Sequence, residues 1–315
     1  MIIPAARAAP YEVCSRASEG VEPLCDNARP DGGSPLKQQN HPFEYAAQQS
    51  VSSEEAAGYL ESAIEMARRA GEVILPHFRN DPAVENKHQD GGYDPVTVAD
   101  RAAEVTIRAI IAERYPQHGI FGEEQGFQPG NGLTWVVDPI DGTRAFMTGM
   151  LHWGVLIALF DGVEPVLGVM HQPFTDEFWV GTNDSADYRR GVRSRQLSVR
   201  SVASVADAVM GSTGPQFFAT PNAQTAFNAL REEVRFTRFG GDCYIYAGLA
   251  MGQLDLVVEA GLNAYDIQAL MPIIRGAGGI VTTWDGGDAS MGGQIIAAGD
   301  AEVHRAAMAI LGRAR

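Results

Sequence analysis

Apolar residues recur at three- and four-residue steps along "SSEEAAGYLESAIEMARRAGEVILPHF", placing Leu60, Ile64, Ala67 and Ile74 on one face. That period predicts a long amphipathic helix with Ser52 or Ser53 as N-cap, acids in its first turn and an end near Pro76. "RNDPAVENKHQDGGYDPV" is polar and glycine-bearing and reads as a loop. A second helix is predicted from Val98 to Arg114, with Ala103, Ile107, Ile110 and Ile111 on one side and Pro116 just past its end.

From Thr134 the pattern shortens. "LTWVVD", "WGVLIALFDG", "EPVLGVMHQPF", "EFWVGT" and "QLSVR" are brief apolar runs between turns, as expected of strands joined largely by hairpins in a mixed or antiparallel sheet. After Ser204 strands and helices alternate: "DAVMGST", a helix over 221–233, "VRFTRF", a helix over "DCYIYAGLAMG", "LDLVVE", a helix over 266–277, "GIVTTW", "QIIAAG" and a last helix over 300–311. The expected fold class is α/β, with helices layered over sheets. The expected organisation is an extension over 1–50, an α+β lobe over 51–200 and an α/β lobe over 201–315.

Composition narrows this picture. With 45% hydrophobic and 20% charged residues among 315, the chain can build a sizeable core. Asp161 and Glu164 interrupt even "WGVLIALFDGVEPVLGVM", so no stretch approaches the roughly 18 apolar residues of a membrane span, and a soluble protein is expected. A net charge of -15 speaks against a nucleic acid gripped through its phosphates. It still admits a small phosphorylated molecule, because a bound cation reverses the local sign of a site. Three cysteines without ligand spacing fit a reducing, cytoplasmic setting. Residues 1–50 hold six of the 17 prolines, show no period and read as disordered. They lack an apolar signal core and carry more acids than bases, which favours a flexible extension, or a start site set too far upstream, over a targeting signal.

Four acidic features stand at the ends of elements, where α/β proteins place ligands. "FGEEQG" puts Glu123 and Glu124 after a short apolar pair. "WVVDPIDGT" puts Asp138 at a strand end and Asp141 beyond Pro139, while "VTVAD" and "NAYDIQAL" put Asp100 and Asp266 at helix starts. Hard oxygen donors without Cys or His beside them suit Mg²⁺ or Mn²⁺. Proline fixes φ in the Asp-Pro-Ile-Asp turn, which can aim both carboxylates and the Ile140 carbonyl at one region. Two ions sharing such oxygens can make a nucleophile of water and stabilise a leaving oxygen, and the amides of Gly142 and Thr143 can hold a phosphate oxygen. Plainer readings stand beside these: Asp100, Asp266 and Asp242 as helix N-caps, Asp-Gly as a bare turn, and Glu124 as a solvated residue. His77, His88, His118, His152 and His171 lack ligand spacing and read as surface or core residues; Cys243, without a paired histidine, reads as a packing residue.

The ordered set "DPVTVAD", "FGEEQG", "WVVDPIDGTRAF" and "YDIQALMPIIRGAGG" resembles the inositol monophosphatase family of metal-dependent phosphatases, over about residues 55–312. The resemblance implies a layered αβαβα sugar-phosphatase fold, usually a homodimer, with two or three Mg²⁺ ions and frequent inhibition by lithium. By position it makes Glu123, Asp138, the Ile140 carbonyl, Asp141 and Asp266 metal ligands. It makes Thr143 and Asp100, with Glu123, the groups that orient and deprotonate the attacking water, and Gly142 with Thr143 the phosphate-binding amides.

Substrate choice lies elsewhere. The inositol branch carries tryptophan before the last metal aspartate and "AAG" after it, whereas this chain has Tyr265 and "IQALMPIIRGAGG". "RFGGDCYIY", "LDLVVEAGLNAYD" and "DGTRAFMTGMLHWGVLIAL" look like the histidinol-phosphate phosphatase branch. The resemblance puts Glu259, seven residues before Asp266, against the substrate's organic part, with Asp242 in the matching segment before it. Two carboxylates beyond the metals would complement the ammonium and imidazole of histidinol phosphate, and a neutral polyol gains no such pairing. The expectation is hydrolysis of L-histidinol phosphate. Its rivals are inositol phosphate, 3'-phosphoadenosine 5'-phosphate or fructose bisphosphate as substrate, or a non-catalytic metal- or phosphate-binding protein.

Overall fold

The computed structural model describes residues 49–80, 84–86 and 95–313. The expected extension, with Cys14 and Cys25, lies almost wholly outside the described residues, as does His88.

Ser52 opens α1 (Ser53–Ile74) with a capping box: its Oγ accepts from Glu55 N, and its own N–H donates to the Glu55 carboxylate at 2.9 Å. A tight turn around Pro76 ends the helix where the sequence predicts. The segment read as a loop contains a short antiparallel pair, β1 (Val84–Asn86) with β2 (Pro95–Thr97). Then α2 (Val98–Arg114) begins and ends as expected.

The middle of the chain supplies β3 (Gly119–Gly122), β4 (Gly126–Gln128), β5 (Thr134–Asp141), α3 (Thr143–Met147), β6 (Gly154–Phe160), β7 (Pro165–Gln172), β8 (Glu177–Thr182), β9 (Ala186–Arg190) and β10 (Arg193–Gln196). The pattern reading missed β3, β4 and β9, because three to five residues with glycine or charge among them leave no period to detect. It also placed a strand over "QLSVR", whereas the strand ends at Gln196. The remainder supplies β11 (Val209–Ser212), α4 (Pro221–Glu233), β12 (Phe236–Phe239), α5 (Cys243–Ala250), β13 (Leu256–Leu262), α6 (Ala264–Ile267), α7 (Leu270–Gly276), β14 (Ile280–Thr283), β15 (Gly293–Ala298) and α8 (Ala301–Arg313). The helix predicted from Asp266 therefore starts earlier and is broken at Gln268 and Ala269. Pro272 explains the break, since it has no N–H to give the Gln268 carbonyl.

Among the described residues the larger sheet runs β10-β9-β8-β7-β6-β5-β3-β4, antiparallel except where β3 lies parallel to β5. The smaller runs β12-β11-β13-β15-β14. Successive strand residues face opposite sides, so each sheet feeds two cores. Trp135, Val137, Val155 and Ile157 pack with Met66, Ile74 and Ile107 of α1 and α2. Val136, Leu156, Met170 and Trp179 turn the other way, onto α5 and α7, which are covered in turn by Val257, Ile295 and Ala297 of the second sheet. The reverse face of that sheet, with Met210, Leu256 and Ile296, meets α4 and α8. The order is αβαβα, the layered fold expected. Being sandwiched between sheets is why α5 is apolar almost all round. The sheets change over between Gln196 and Val209, and Gln49 to Arg313 belong to one compact unit. Among the described residues no helix is long and apolar enough to cross a membrane.

Candidate active site

The ladder of β5 on β6 is regular to Asp138 opposite Leu156, then slips before Asp141 opposite Gly154. Pro139 causes the slip because it offers no N–H, and Ile140 N donates instead to Asp138 Oδ1 at 3.1 Å. The bend continues into Gly142 at φ 83°, where a Cβ would lie 2.5 Å from the His152 carbonyl oxygen and 3.2 Å from Asp242 Cβ. Glycine alone lets the chain turn there and start α3.

Asp100 and Asp266 prove not to be N-caps. Each is the third residue of its helix and reaches back to the cap, Thr97 N donating to Asp100 Oδ2 at 2.8 Å and Asn263 N to Asp266 Oδ2 at 2.6 Å. One oxygen of each carboxylate is thereby held in its cap, and Asp266 also presents an oxygen to the site. Asp138, Asp141 and Asp266 each present an oxygen, and the three lie within 4.8 Å of one another. Glu123 N donates to the Val137 carbonyl at 3.1 Å, extending the β3–β5 pairing by one residue.

These acids repel one another. Burial, then Glu123, Asp141 and Asp266, push the Asp138 carboxyl well above its ordinary range. Burial, then Asp242 and Asp266, do the same to Asp141. Burial raises Asp266 to about 7 against the Asn263 amide, with Glu123 and Glu259 adding to the rise. An oxygen-only cluster too crowded to ionise alone fits a hard divalent cation, whose charge relieves both burial and repulsion. Asp100 is 1% exposed and does not line the cleft; its Oδ1 is buried without a hydrogen-bond partner. Burial first, with the Glu123 charge adding, raises it to about 6. Thr143 Oγ1 donates to the Ile140 carbonyl at 3.1 Å.

The cluster opens into a cleft of about 360 Å³ that also contains Ile140, Gly142 and Thr143. Among the described residues six carboxylates line it, those of Glu123, Asp138, Asp141, Asp242, Glu259 and Asp266, and Arg144 is the one basic side chain that joins them. Asp242 occupies the N-cap position of α5, yet its side chain makes no cap bond, and its backbone sits at φ 45°, ψ -130°, a region that strains any residue but glycine. Burial, opposed by Arg144, puts its carboxyl at about 6. Glu259 is buried in the middle of β13 and accepts from Thr213 N at 2.7 Å. Burial lifts it to about 7 against that bond, with the Asp242 charge adding. The Tyr246 hydroxyl stands beside Glu259 short of hydrogen-bond geometry.

Cys243 packs, as read, and has a task the sequence did not disclose: its N–H donates to Asp141 Oδ2 at 2.6 Å. Burial, then Asp141, push its thiol up, away from nucleophilic use. His118 accepts from Trp135 Nε1 at 3.1 Å, and His171 stacks on Phe178 with ring centres 3.8 Å apart, so both serve the core. Glu124 is half-buried rather than solvated, its N–H donating to Glu104 at 2.7 Å. Glu104 went unnoticed in the sequence. Its signal was a glutamate four residues after Asp100 on the stripe of Ala99, Ala103 and Ile107.

The family model for the inositol monophosphatase family matches residues 56–314. The bifunctional phosphatase IMPL2, chloroplastic, of Arabidopsis thaliana is 38% identical over 77% of this chain and 72% of its own. The histidinol-phosphatase of Chlorobaculum parvum is 32% identical over 80% and 96% respectively, and Nus factor SuhB of Escherichia coli 34% over 79% and 94%. Among solved structures, an inositol monophosphatase from Zymomonas mobilis superposes with a TM-score of 0.73 at 37% identity, covering 83% of this chain and all of that one. The acid cluster at the end of β5, the five layers around it and the match over almost every described residue lead to one conclusion: the chain belongs to the inositol monophosphatase family, as a metal-dependent phosphatase.

Proposed function

We propose that this protein is a Mg²⁺-dependent phosphomonoester hydrolase acting on L-histidinol phosphate. The observation that carries the reading is the charge of the cleft. Beyond the Asp138, Asp141 and Asp266 cluster stand Asp242 and Glu259, close enough for the charge of one to raise the other. An ammonium and an imidazolium supply the counter-charges those two carboxylates call for. A neutral polyol brings no such charge, leaving Asp242 to Arg144 and Glu259 to the Thr213 N–H.

Glu123, Asp138, the Ile140 carbonyl, Asp141 and Asp266 would hold the metal, which when bound neutralises the phosphate and the departing alkoxide. The chain's own groups do the rest. The amides of Gly142 and Thr143 hold a phosphate oxygen. Glu123 and the Thr143 hydroxyl orient a water in line with the ester bond, and Glu123 takes its proton. Asp100 stands behind the cleft, raised to about 6 by burial with the Glu123 charge adding, and assists Glu123 through that charge. The new P–O bond forms as the ester P–O bond breaks, and the departing alkoxide takes a proton from solvent water to leave as the alcohol.

The Chlorobaculum parvum relative, named a histidinol-phosphatase, supports this substrate. The Zymomonas mobilis inositol monophosphatase, more similar at 37% identity, supports inositol phosphate as a second reading. Comparing kcat/KM for L-histidinol phosphate, myo-inositol 1-phosphate, 3'-phosphoadenosine 5'-phosphate and fructose 1,6-bisphosphate, with Mg²⁺ and with EDTA, decides between them. Histidinol phosphate is expected to lead by at least about 100-fold, the effect of two charge pairs. A preference for inositol phosphate would overturn the assignment.

A further inference from the structure

The turn that follows Glu123 is gripped from behind. Glu104, fully buried one helical turn beyond Asp100 on α2, accepts from Glu124 N at 2.7 Å through Oε2 and from Gln125 N at 3.1 Å through Oε1. Arg108, one turn further, donates from Nε to Glu104 Oε1 at 2.7 Å and from Nη2 to the Gly126 carbonyl at 2.6 Å. Two side chains thus hold three consecutive residues immediately after Glu123. Before it stands Gly122, whose missing Cβ is needed because the Glu104 carboxylate occupies that space. Packing alone does not call for this arrangement. The neighbouring positions on that face of α2 are Ala99, Ala103, Ile107 and Ile111, and an apolar residue there would avoid desolvating a charge.

We propose that Glu104 and Arg108 are positioning residues that set where the Glu123 carboxylate stands relative to Asp138. The inference rests on Glu123 as a metal ligand and proton acceptor. Glu104 and Arg108 act only through the backbone of residues 124–126, as the partners behind a metal ligand do.

Glu104→Gln tests this, since it keeps the shape, removes the charge and turns an amide N–H₂ toward the turn. Wild type and variant are titrated with Mn²⁺ by calorimetry without substrate, then assayed at saturating Mg²⁺. Mn²⁺ affinity and kcat are each expected to fall about 10- to 100-fold, with KM for the ester within about threefold. Arg108→Lys keeps the charge yet loses the fork that spans Glu104 and Gly126, and a fall of about 3- to 10-fold in Mn²⁺ affinity is expected. Unchanged Mn²⁺ affinity in a folded Glu104→Gln protein overturns the proposal, whatever happens to its Tm. If that variant does not fold, unchanged affinity in Arg108→Lys overturns it. A wild type that binds Mn²⁺ but hydrolyses no phosphomonoester defeats the functional reading, and the calorimetric comparison still decides the clamp.

Discussion

Asp138 sits 2% exposed among Glu123, Asp141 and Asp266, so its charge is costly without a cation and valuable with one. Asp138→Asn separates the two effects. Turnover in Mg²⁺ is expected to drop by at least about 100-fold, while the Tm in EDTA rises because one member of a repelling group is gone. Steady-state kinetics beside calorimetry checks both, and a fall in the metal-free Tm would contradict the repulsion described. Glu259→Gln removes a counter-charge without removing volume. KM for L-histidinol phosphate should rise roughly 10-fold, about 1.4 kcal/mol, with little change for inositol phosphate. Gly142→Ala would force a Cβ against the His152 carbonyl at a positive φ, and a loss of about 1–3 kcal/mol in denaturant unfolding is expected.

At the scale of elements, legibility tracked length. The 22 residues of α1 and the 17 of α2 repeat their period several times, and both helices lie where the pattern puts them. Three-residue β4 and five-residue β9 repeat nothing, and their identity as strands depends on neighbours already in the sheet. Caps behave differently, because a capping box is local chemistry. Ser52→Ala should cost about 1 kcal/mol of stability and leave kcat unchanged, since no residue of α1 lines the cleft. Reduced turnover in a fully folded Ser52→Ala protein would show α1 coupled to the site.

For the whole molecule the decisive quantity is the proton balance of the cleft. Asp266 and Glu259 stand at about 7 and Asp242 at about 6 in the fold, above their ordinary values, so the metal-free native state holds protons that the unfolded chain has already lost. Stability from these groups is present at low pH and disappears as pH rises through about 6 to 7. Of these groups Asp266 is a ligand, so Mg²⁺ must displace its proton to bind. The rise in Tm produced by Mg²⁺ is therefore expected to grow from about pH 5.5 to about pH 8, as scanning calorimetry with and without EDTA would record. A rise independent of pH would mean the cluster is already ionised.

What the amino-acid order determined alone is whatever local rules govern: the long helices, the Pro139 bend, and a set of hard oxygen donors at the ends of elements. These follow from backbone dihedrals and side-chain period within a few residues. Tertiary structure alone decided that Asp266 comes within 4.8 Å of Asp138 and Asp141, that Glu259 and Asp242 share one cleft, and that Glu104 holds the turn behind Glu123. Each of those depends on packing between segments distant in the chain. The same packing removes water from the carboxylates and gives them their shifted protonation, a property that no residue carries by itself.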